Sequence, residues 1–240
     1  MPADTQHKAD SLLCRVCEKA RSKVFGTFEK RTYLRCSRCS ATFLTAHQLP
    51  SADIEFTHYQ THENTVDDPG YRAFLARLAT PLLERLPPRQ SGLDYGCGPG
   101  PALAAMLREA GHLMALYDPF FARHSNTLKQ KYDFITCTEV AEHFHEPAEE
   151  FRRLNAMLRP NGLLGLMTKF QTDDTRFANW HYRRDPTHVV FYRPDTLKAL
   201  AEDLNWICEI PAPDVAIFQK NEYSASMNHK KISSKPKSVL

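Results

Sequence analysis

Residues 92–100 read Gly-Leu-Asp-Tyr-Gly-Cys-Gly-Pro-Gly, so a short apolar run passes directly into a glycine-rich loop. Apolar residues recur at helical spacing over 102–110, and Gly111 supplies the left-handed position that ends many helices. The next run, 112–117, leads to Asp118. This order of strand, glycine loop, helix, strand and acid predicts half of a nucleotide-binding α/β sheet.

The spacing of the glycines distinguishes between two classes of cofactor. Gly96, Gly98 and Gly100 allow backbone N–H groups to approach a ligand. A carboxylate about 20 residues further on, here Asp118, can accept both hydroxyls of a ribose. Dinucleotide-binding folds place a third glycine where this chain has Pro101, a residue that suits the first position of a helix. The loop therefore disfavours a nicotinamide-dependent dehydrogenase.

The pattern Asp-x-Gly-x-Gly-x-Gly over 94–100 resembles the first motif of the class I S-adenosylmethionine-dependent methyltransferases. An acid at Asp94 is well placed to hold the cationic amino-acid end of that cofactor rather than a phosphate. The resemblance covers about residues 91–220 and implies a Rossmann-like α/β methyltransferase sheet. The cofactor-binding residues that it implies are Asp94, Tyr95, Gly96, Cys97, Gly98, Gly100, Asp118, Pro119, Phe120, Thr138 and Glu139.

The predicted sheet departs from this family at residues 119–132. These 14 positions are too few for a helix, a full strand and a second helix. We therefore expect the third strand to be lost or short. The acid that usually ends that strand has no match here, and Phe120, Cys137 and Thr138 are the candidates to line an adenine instead.

Two Cys-x-x-Cys pairs near the amino terminus indicate a metal site. Cys14-Arg-Val-Cys17 and Cys36-Ser-Arg-Cys39 are separated by 18 residues, within the spacing of four-cysteine zinc sites. Four thiolates complete a tetrahedron, so the predicted site is closed and structural, and zinc would supply the folding free energy of a small ribbon. The intervening segment 24–33 is expected to form a hairpin. The alternative is two chance pairs of buried thiols.

Length and composition limit the remaining choices. The 240 residues suffice for one α/β domain and a small appendage. No apolar run approaches the ~18 residues of a membrane span and the amino terminus is polar, so we expect a cytoplasmic protein without membrane contact. The net charge of +3 is uneven, with +5 over 1–40, +4 over 220–240 and −6 between them. Basic ends leave contact with RNA open, although such patches are more often simply solvated.

The chain is predicted to have four parts: a zinc ribbon over 1–40, a linking and cap segment over 41–90, an S-adenosylmethionine-binding domain over 91–220 and a disordered basic tail over 221–240. In the second part, apolar spacing over 74–83 predicts an amphipathic helix that ends before Pro87-Pro88. In this architecture such a segment often folds over the cofactor mouth. Four of its residues either face a substrate or serve as turn and capping residues: His62, Asn64, Tyr71 and Arg72.

Candidate catalytic residues lie in two stretches that follow predicted strands. Methyl transfer from a sulfonium is an in-line displacement, so alignment of donor and acceptor is most of the task. A hydroxyl or carbon-acid acceptor also needs a base, and imidazole has the pKa nearest neutrality. His143 and His188 are the first candidates, with His181 and Glu142 behind them. The alternative roles are a helix cap or backbone contact for His143 and a brace of its loop for His188.

Four side chains in these stretches also admit a metal ion. Glu139, Glu142, His143 and His188 resemble the two-Glu, two-His metal site of small-RNA 3′-end 2′-O-methyltransferases. That resemblance implies a cation that lowers the pKa of ribose hydroxyls. The same Glu-x-x-Glu-His sequence is common in metal-free relatives, so both versions stay open.

Two functions from different classes follow from these observations. The first is an S-adenosylmethionine-dependent methyltransferase with a structural zinc ribbon, acting on a small metabolite or a modified macromolecule. The second is a non-catalytic binding module, in which a degenerate methyltransferase fold docks a protein or an RNA. An intact Asp94, glycine loop and Asp118 favour the first, because a scaffold has no physical need of them.

Overall fold

The computed structural model of the chain describes residues 13–61 and 65–222. Its strands are β1 Ser22–Phe28, β2 Arg31–Cys36, β3 Thr42–Leu44, β4 Ser91–Tyr95, β5 Leu113–Tyr117, β6 Tyr132–Thr138, β7 Leu158–Met167, β8 Val190–Phe191, β9 Trp206–Ala212 and β10 Val215–Lys220. Its α-helices are α1 Ala52–Tyr59, α2 Pro69–Leu83, α3 Ala102–Glu109, α4 Pro147–Met157, α5 His181–Arg184 and α6 Pro194–Leu204. These elements form two sheets.

The larger sheet has six strands in the order β5-β4-β6-β7-β10-β9. Strands β5, β4, β6 and β7 are parallel, and β10 pairs antiparallel with both β7 and β9. Strands β9 and β10 form a hairpin that closes this side of the sheet. Because parallel strands end at the same edge of a sheet, the loops that follow β4, β5 and β6 meet at one edge, where ligands of open α/β sheets bind.

The sheet lacks a strand between β5 and β6, as predicted. Residues 118–131 contain an isolated bridge between Asp118 and Ala122 and one 3-10 turn, Thr127–Lys129. The short connection therefore crosses directly from β5 to β6. Within the described residues no strand pairs with the outer side of β5, so β5 forms one edge of the sheet.

Alternating side chains of the strands divide the core into two layers. On one face, α2 and α3 pack through Leu78 and Leu107 against Phe134 and Met167. On the other face, buried residues of α4 and α6 join Leu164 and the cysteine-bearing ribbon in a continuous cluster. Each buried leucine or phenylalanine contributes about 1.5–3 kcal/mol. Both faces of the sheet are therefore covered, which suits parallel strands.

The smaller sheet is antiparallel and has the order β1-β2-β3-β8. The hairpin predicted over 24–33 is the pairing of β1 with β2. The sheet runs past residue 40, the expected end of the ribbon, and its last strand comes from much later in the chain. Phe43 of β3 pairs with Val190 of β8. The ribbon is thus completed by two residues of the loop that follows β7.

The linking segment contains one helix that the sequence predicts and one that it does not. The predicted helix over 74–83 lies within α2, which begins earlier because Asp68 caps its first turn by accepting from the N–H of Tyr71 at 2.5 Å. Helix α1 was not predicted. Its apolar and polar residues do not separate into two faces, so the sequence has no helical periodicity that would predict this helix.

Some of the predictions concern residues that the structure does not describe. The tail 221–240 lies beyond the described residues from position 223 on, and His62 and Asn64 also fall outside them.

Pro101 precedes the first residue of α3 rather than occupying that position, so the helix begins one residue later than expected. In the part of the chain that the structure describes, no helix is both long and apolar enough to cross a membrane.

Candidate active site

A cleft of about 750 Å³ lies at the carboxyl ends of β4, β5 and β6. Its floor comes from the loops after these strands, and α1 and the first turns of α2 form the opposite wall. Eleven of the predicted site residues line it: Tyr95, Gly96, Cys97, Gly98, Asp118, Pro119, Phe120, Thr138, Glu139, His143 and His188. The sequence therefore brings most of the expected residues to one cavity.

The glycine loop is shaped by two residues in left-handed conformations. Gly96 has a φ of 80°, and a Cβ atom there would lie 2.4 Å from Cγ2 of Val140. Gly98 has a φ of 62°, but a Cβ atom there would meet nothing within 4 Å. A side chain at 96 is thus excluded by the loop after β6, whereas one at 98 would occupy open space.

Three N–H groups of this loop are hydrogen-bonded within the protein. The carbonyl of Tyr117 accepts from Gly96 at 2.8 Å and from Cys97 at 3.2 Å. Oδ2 of Asp118 accepts from the N–H of Gly98 at 3.0 Å. The loop is therefore held against the end of β5, and the N–H groups of Gly96, Cys97 and Gly98 are already engaged.

The Asp118 carboxylate closes the loop that carries it. Besides Gly98, it accepts from the N–H groups of Phe120 at 2.8 Å and Phe121 at 3.0 Å. Each carboxylate oxygen has two acceptor sites, so Oδ2 keeps capacity for one further donor. The predicted bonds to ribose hydroxyls stay a prediction.

Asp94 and Gly100 are not among the residues that line the cleft. Asp94 is buried beneath the loop, where its Oδ1 accepts from Oγ1 of Thr136 at 2.7 Å. Burial raises the pKa of Asp94 to about 6, against the opposing effect of that hydrogen bond. Direct contact between this side chain and a ligand in the cleft would need movement of the overlying glycine loop.

The end of β6 brings two unsatisfied polar side chains to the cleft. Oγ1 of Thr138 and Oε1 of Glu139 are buried and make no hydrogen bond within the described residues. Glu139 has a φ of 51°, unusual for a residue with a side chain. Burial, and then the nearby Glu142 carboxyl, raise the pKa of Glu139 to about 9. Such orphaned groups in a cavity are partners for a ligand.

Two imidazoles stand side by side at the other end of the cleft. The rings of His143 and His188 lie 4.7 Å apart, centroid to centroid. Nδ1 of His143 is 3.0 Å from the carbonyl oxygen of Thr187, and Nδ1 of His188 is 2.7 Å from that of Tyr182. A carbonyl oxygen only accepts, so each Nδ1 carries the proton and each Nε2 keeps a lone pair. Both rings are thus oriented as acceptors at Nε2.

Glu142 lies behind the imidazoles and does not line the cleft. It is wholly buried, and its Oε1 accepts from the Tyr182 hydroxyl at 2.6 Å and lies 4.0 Å from Nε2 of His143. Its Oε2 makes no hydrogen bond within the described residues. Glu142, His143 and His188 each offer one ligand atom within 4.8 Å of the others, a group to which Glu139 does not belong.

His181 does not reach the cleft. Its side chain is exposed in α5, where Nε2 lies 3.0 Å from Nζ of Lys169. Because it neither lines the cavity nor contacts the other imidazoles, the structure gives it no part in the candidate site.

The wall formed by α1 is the part of the site that the sequence analysis missed. Glu55 pairs with His145 at 2.9 Å, and His58 pairs with Asp185 at 2.9 Å. The ring of Tyr59 meets that of His143 edge-on at 5.3 Å. Helix α1 is thus held across the cleft by two side-chain pairs. Tyr71, at the start of α2, also lines it, whereas Arg72 forms an ion pair with Glu109 elsewhere.

The four predicted cysteine ligands lie together in the ribbon. The Sγ atoms of Cys14 and Cys39 are 3.7 Å apart, as are those of Cys17 and Cys36. All four Sγ atoms lie within 4.8 Å of one another, and all four residues are buried. Zn–S bonds of about 2.3 Å in a tetrahedron place sulfurs about 3.8 Å apart. The geometry therefore fits one tetrahedral zinc ion.

Comparisons with curated proteins give short matches. A ubiquinone biosynthesis O-methyltransferase of Aeromonas salmonicida (strain A449) is 26% identical in an alignment of 99 residues that covers 32% of this chain and 42% of that protein. The ubiquinone biosynthesis O-methyltransferase of Serratia proteamaculans (strain 568) is 31% identical over 72 residues, 30% of each chain. The chain thus spans less than half the length of these relatives.

Solved structures resemble a larger part of the chain at low identity. Burkholderia thailandensis 1,6-didemethyltoxoflavin-N1-methyltransferase, solved with S-adenosylhomocysteine, is 15% identical with a TM-score of 0.49, over 84% of this chain and 100% of that one. Synechocystis PCC 6803 magnesium protoporphyrin IX methyltransferase, also with bound S-adenosylhomocysteine, is 14% identical with a TM-score of 0.46, over 71% of this chain and 95% of that one.

A family model described as a methyltransferase domain matches residues 68–209. The match covers more than half of the chain and includes the glycine loop, the parallel strands and the turn with His143. It begins after the cysteine-bearing ribbon. The protein therefore belongs to the methyltransferase-domain family.

Proposed function

We propose that the protein transfers a methyl group from S-adenosylmethionine to a small molecule. One observation carries this proposal: a single cleft has the glycine loop and Asp118 at one end and the paired imidazoles of His143 and His188 at the other. A cofactor at the first end and an acceptor at the second would meet above Thr138 and Glu139. Alignment of two reactants in this way is the main requirement of an in-line displacement.

The residues at the glycine-loop end fit S-adenosylmethionine. Asp118 has acceptor capacity toward hydroxyls, and Phe120 and Phe121 offer an aromatic surface for a purine. Oγ1 of Thr138 and Oε1 of Glu139 have no partner among the described residues. When bound, this cofactor supplies an electrophilic methyl group on a sulfonium. The buried carboxyl of Asp94, whose pKa of about 6 leaves it mostly ionised near pH 7, suits the positive charge of such a ligand.

Charge in the cleft bears on the acceptor. The acids that line it are Glu55, Asp118, Glu139, Glu146, Glu150 and Asp185, and the described lining residues include one Lys or Arg, Arg153. Such a field attracts cations and repels polyanions. Together with the aromatic wall of Tyr59, Tyr71 and Phe74, it favours a neutral or cationic small molecule with an aromatic or apolar body over an RNA.

We assign the removal of the acceptor's proton to His143. Burial lowers the pKa of His188 to about 4, so that imidazole is a weak base near pH 7. The side chain of His143 is also the more exposed of the two, 15% against 9%. The Glu142 oxygen 4.0 Å from its Nε2 would stabilise the imidazolium that forms. His188 and Tyr59 would hold the ring and exclude water.

A divalent cation held by Glu142, His143 and His188 is a second candidate device. The observation that favours it is the convergence of their ligand atoms within 4.8 Å, together with the unpartnered Oε2 of Glu142. One carboxylate and two neutral imidazoles are a ligand set for first-row transition metals. Such an ion would lower the pKa of an acceptor hydroxyl.

We also propose that Cys14, Cys17, Cys36 and Cys39 hold a structural zinc ion. Their sulfur–sulfur distances of 3.7 Å support it. Four cysteines leave no open position for a substrate, so this ion would stabilise the ribbon and take no part in chemistry. Reduced thiolates of this kind persist in a reducing compartment, which supports a cytoplasmic location.

Calorimetry with S-adenosylmethionine and S-adenosylhomocysteine, with NADH as the control ligand, tests the proposed function first. We expect both sulfur compounds to bind and NADH not to bind. If zinc-loaded, folded protein binds neither, the methyltransferase reading fails and the non-catalytic binding module takes its place.

Turnover experiments then test the acceptor end. Release of S-adenosylhomocysteine would be followed with a panel of small phenols, amines and carbon acids. We expect His143→Asn to lower kcat about 100-fold or more without changing the affinity for S-adenosylhomocysteine, and His181→Asn, an exposed control outside the cleft, to match wild type. The metal-assisted version would be favoured instead if Mn²⁺ binds to the wild-type protein, as seen by electron paramagnetic resonance, and speeds its turnover. This binding should then be lost in His188→Asn.

A further inference from the structure

One arginine of the ribbon grips the loop that carries His188. Arg31, the first residue of β2, donates through Nη1 to the carbonyl oxygens of Arg183 at 3.4 Å and Asp185 at 3.1 Å. Through Nη2 it donates to those of Pro186 and His188, both at 3.2 Å. Four carbonyls within six residues thus converge on one guanidinium.

Two further carbonyls of this segment bond to the imidazoles of the cleft. The carbonyl of Tyr182 accepts from Nδ1 of His188, and that of Thr187 accepts from Nδ1 of His143. The loop is therefore a two-sided frame. Its outer carbonyls are tied to Arg31, and its inner carbonyls fix the orientation and the protonated nitrogen of both imidazoles in the cleft.

A guanidinium is suited to this task in a way that an ammonium is not. Arg presents five N–H donors in a rigid plane, whereas Lys presents three on a single atom. Carbonyls of 183, 185, 186 and 188 are reached from two different nitrogens of Arg31. Lysine at this position would keep the charge and much of the packing but satisfy fewer of the four acceptors.

The neighbouring backbone extends the same connection. The N–H of Leu44 donates to the carbonyl of Val189 at 2.8 Å, and the N–H of Val189 donates to the carbonyl of Glu142 at 2.8 Å. Val189 therefore joins the ribbon on one side to the turn before His143 on the other. Both imidazoles are connected to the ribbon through the chain segment that follows β7.

We propose that Arg31 is a positioning residue for the acceptor end of the cleft, and that it acts through the carbonyl frame of residues 182–188 on the orientation of His143 and His188. The catalytic meaning of this role rests on the proposed methyl transfer. The geometry itself does not, so it can be tested without a substrate.

The test uses Arg31→Lys and Arg31→Ala in the full chain, with Arg38→Ala as the matched control. Arg38 also ties the ribbon to the larger domain, but it pairs with Asp203 of α6 at 2.8 Å, away from the cleft. Long-range ¹H–¹⁵N spectra of the histidine rings report which nitrogen carries the proton. Zinc content and melting temperature identify any variant that fails to fold. If Arg31→Ala fails to fold, the result for Arg31→Lys decides the test.

In wild type we expect His143 and His188 to be protonated at Nδ1. In folded Arg31→Lys the ratio of Nδ1–H to Nε2–H at His188 should fall about fivefold, as expected for the loss of one hydrogen bond, while Arg38→Ala keeps the wild-type ratio. If Arg31→Lys and Arg31→Ala both keep the wild-type ratio, the positioning role is overturned. Absent binding of S-adenosylhomocysteine in wild type would instead reject the proposed function and leave this result standing.

Discussion

Gly96 and Val140 approach so closely that a methyl group on the glycine would overlap the valine side chain, at 2.4 Å from Cγ2. This contact joins the loop after β4 to the loop after β6, the two segments that shape the floor of the cleft. Valine is stiff at χ1 and has little room to yield. Gly96 is therefore required by its neighbour as well as by its backbone conformation.

Alanine substitutions at the two glycines should have different effects. Gly96→Ala combines a positive φ with the overlap on Val140, so we expect a clear loss of folding stability. Gly98→Ala has the φ cost of about 1–2 kcal/mol alone, but its methyl group enters the cleft. It should weaken S-adenosylhomocysteine binding about tenfold or more, since an extra methyl in a tight contact costs about 1–3 kcal/mol.

Urea unfolding and calorimetry on both variants provide the measurement. Equal stability of Gly96→Ala and wild type would show that the loop after β6 can move aside. Unweakened binding by Gly98→Ala would show that the cofactor does not approach this part of the loop.

Replacing Asp118 should affect ligand binding in the folded protein. We expect Asp118→Ala to weaken S-adenosylhomocysteine by about 1–3 kcal/mol, because ribose hydroxyls would lose their acceptor. Some loss of stability should accompany it, since three backbone N–H groups also lose theirs. Asp195→Ala, an exposed acid on α6, serves as the control. Calorimetry that finds equal affinity in Asp118→Ala and wild type would reject the ribose contact.

Buried acids should make the protein less stable as the pH rises. The pKa of Asp94 is raised from 3.8 to about 6, so the unfolded state loses its proton first and folding stability falls as the pH rises from about 4 to 6. Asp94→Asn removes this loss and should be more stable than wild type at pH 7, by up to about 3 kcal/mol.

The raised pKa of Glu139 should make folding stability fall over a wider pH range than the raised pKa of Asp94 does. Its pKa rises from 4.5 to about 9, so the stability advantage of Glu139→Gln should keep growing up to about pH 9, whereas that of Asp94→Asn should level off above about pH 6. Urea unfolding of the two variants and wild type at pH 5, 7 and 9 measures the difference. Parallel curves for all three proteins would mean that folding raises the pKa of neither acid.

The ribbon should contain one zinc ion and depend on it. Elemental analysis of protein purified without chelators should find about one zinc per chain, and Cys14→Ser or Cys39→Ser should lower that content and the melting temperature together. Cys208→Ser, at a thiol outside the cluster, should change neither. A folded ribbon with no metal, seen by elemental analysis and circular dichroism, would contradict the assignment.

Local sequence signals anticipated the features that depend on neighbouring residues. The glycine loop, Asp118, the β1–β2 hairpin and the missing strand all follow from spacing within short stretches. The four cysteines were also identifiable, because thiolate spacing in Cys-x-x-Cys reflects tetrahedral geometry directly. These stretches suffice to predict the parallel part of the sheet and the glycine-loop end of the cleft.

Long-range packing decided the rest. Helix α1 lacks an apolar face because it packs through polar pairs with Asp185 and His145 and through aromatic contacts with Phe120. The burial of Glu142 and Asp94 beneath the cleft likewise depends on which loops pack over them, which sequence spacing does not determine. Nor does any local pattern indicate that Val190 pairs with a strand formed before residue 45.

The pairing of β3 with β8 bears on how a chain of this kind can be divided or recombined. Residues 190–191 complete the ribbon sheet, so cutting the gene after the cysteines would leave one fragment with an open strand edge and the other with an unsupported loop. The ribbon is therefore not a cassette that another methyltransferase could acquire by fusion alone. Gaining it would require matched changes in the ribbon and in the loop that contains residues 190–191.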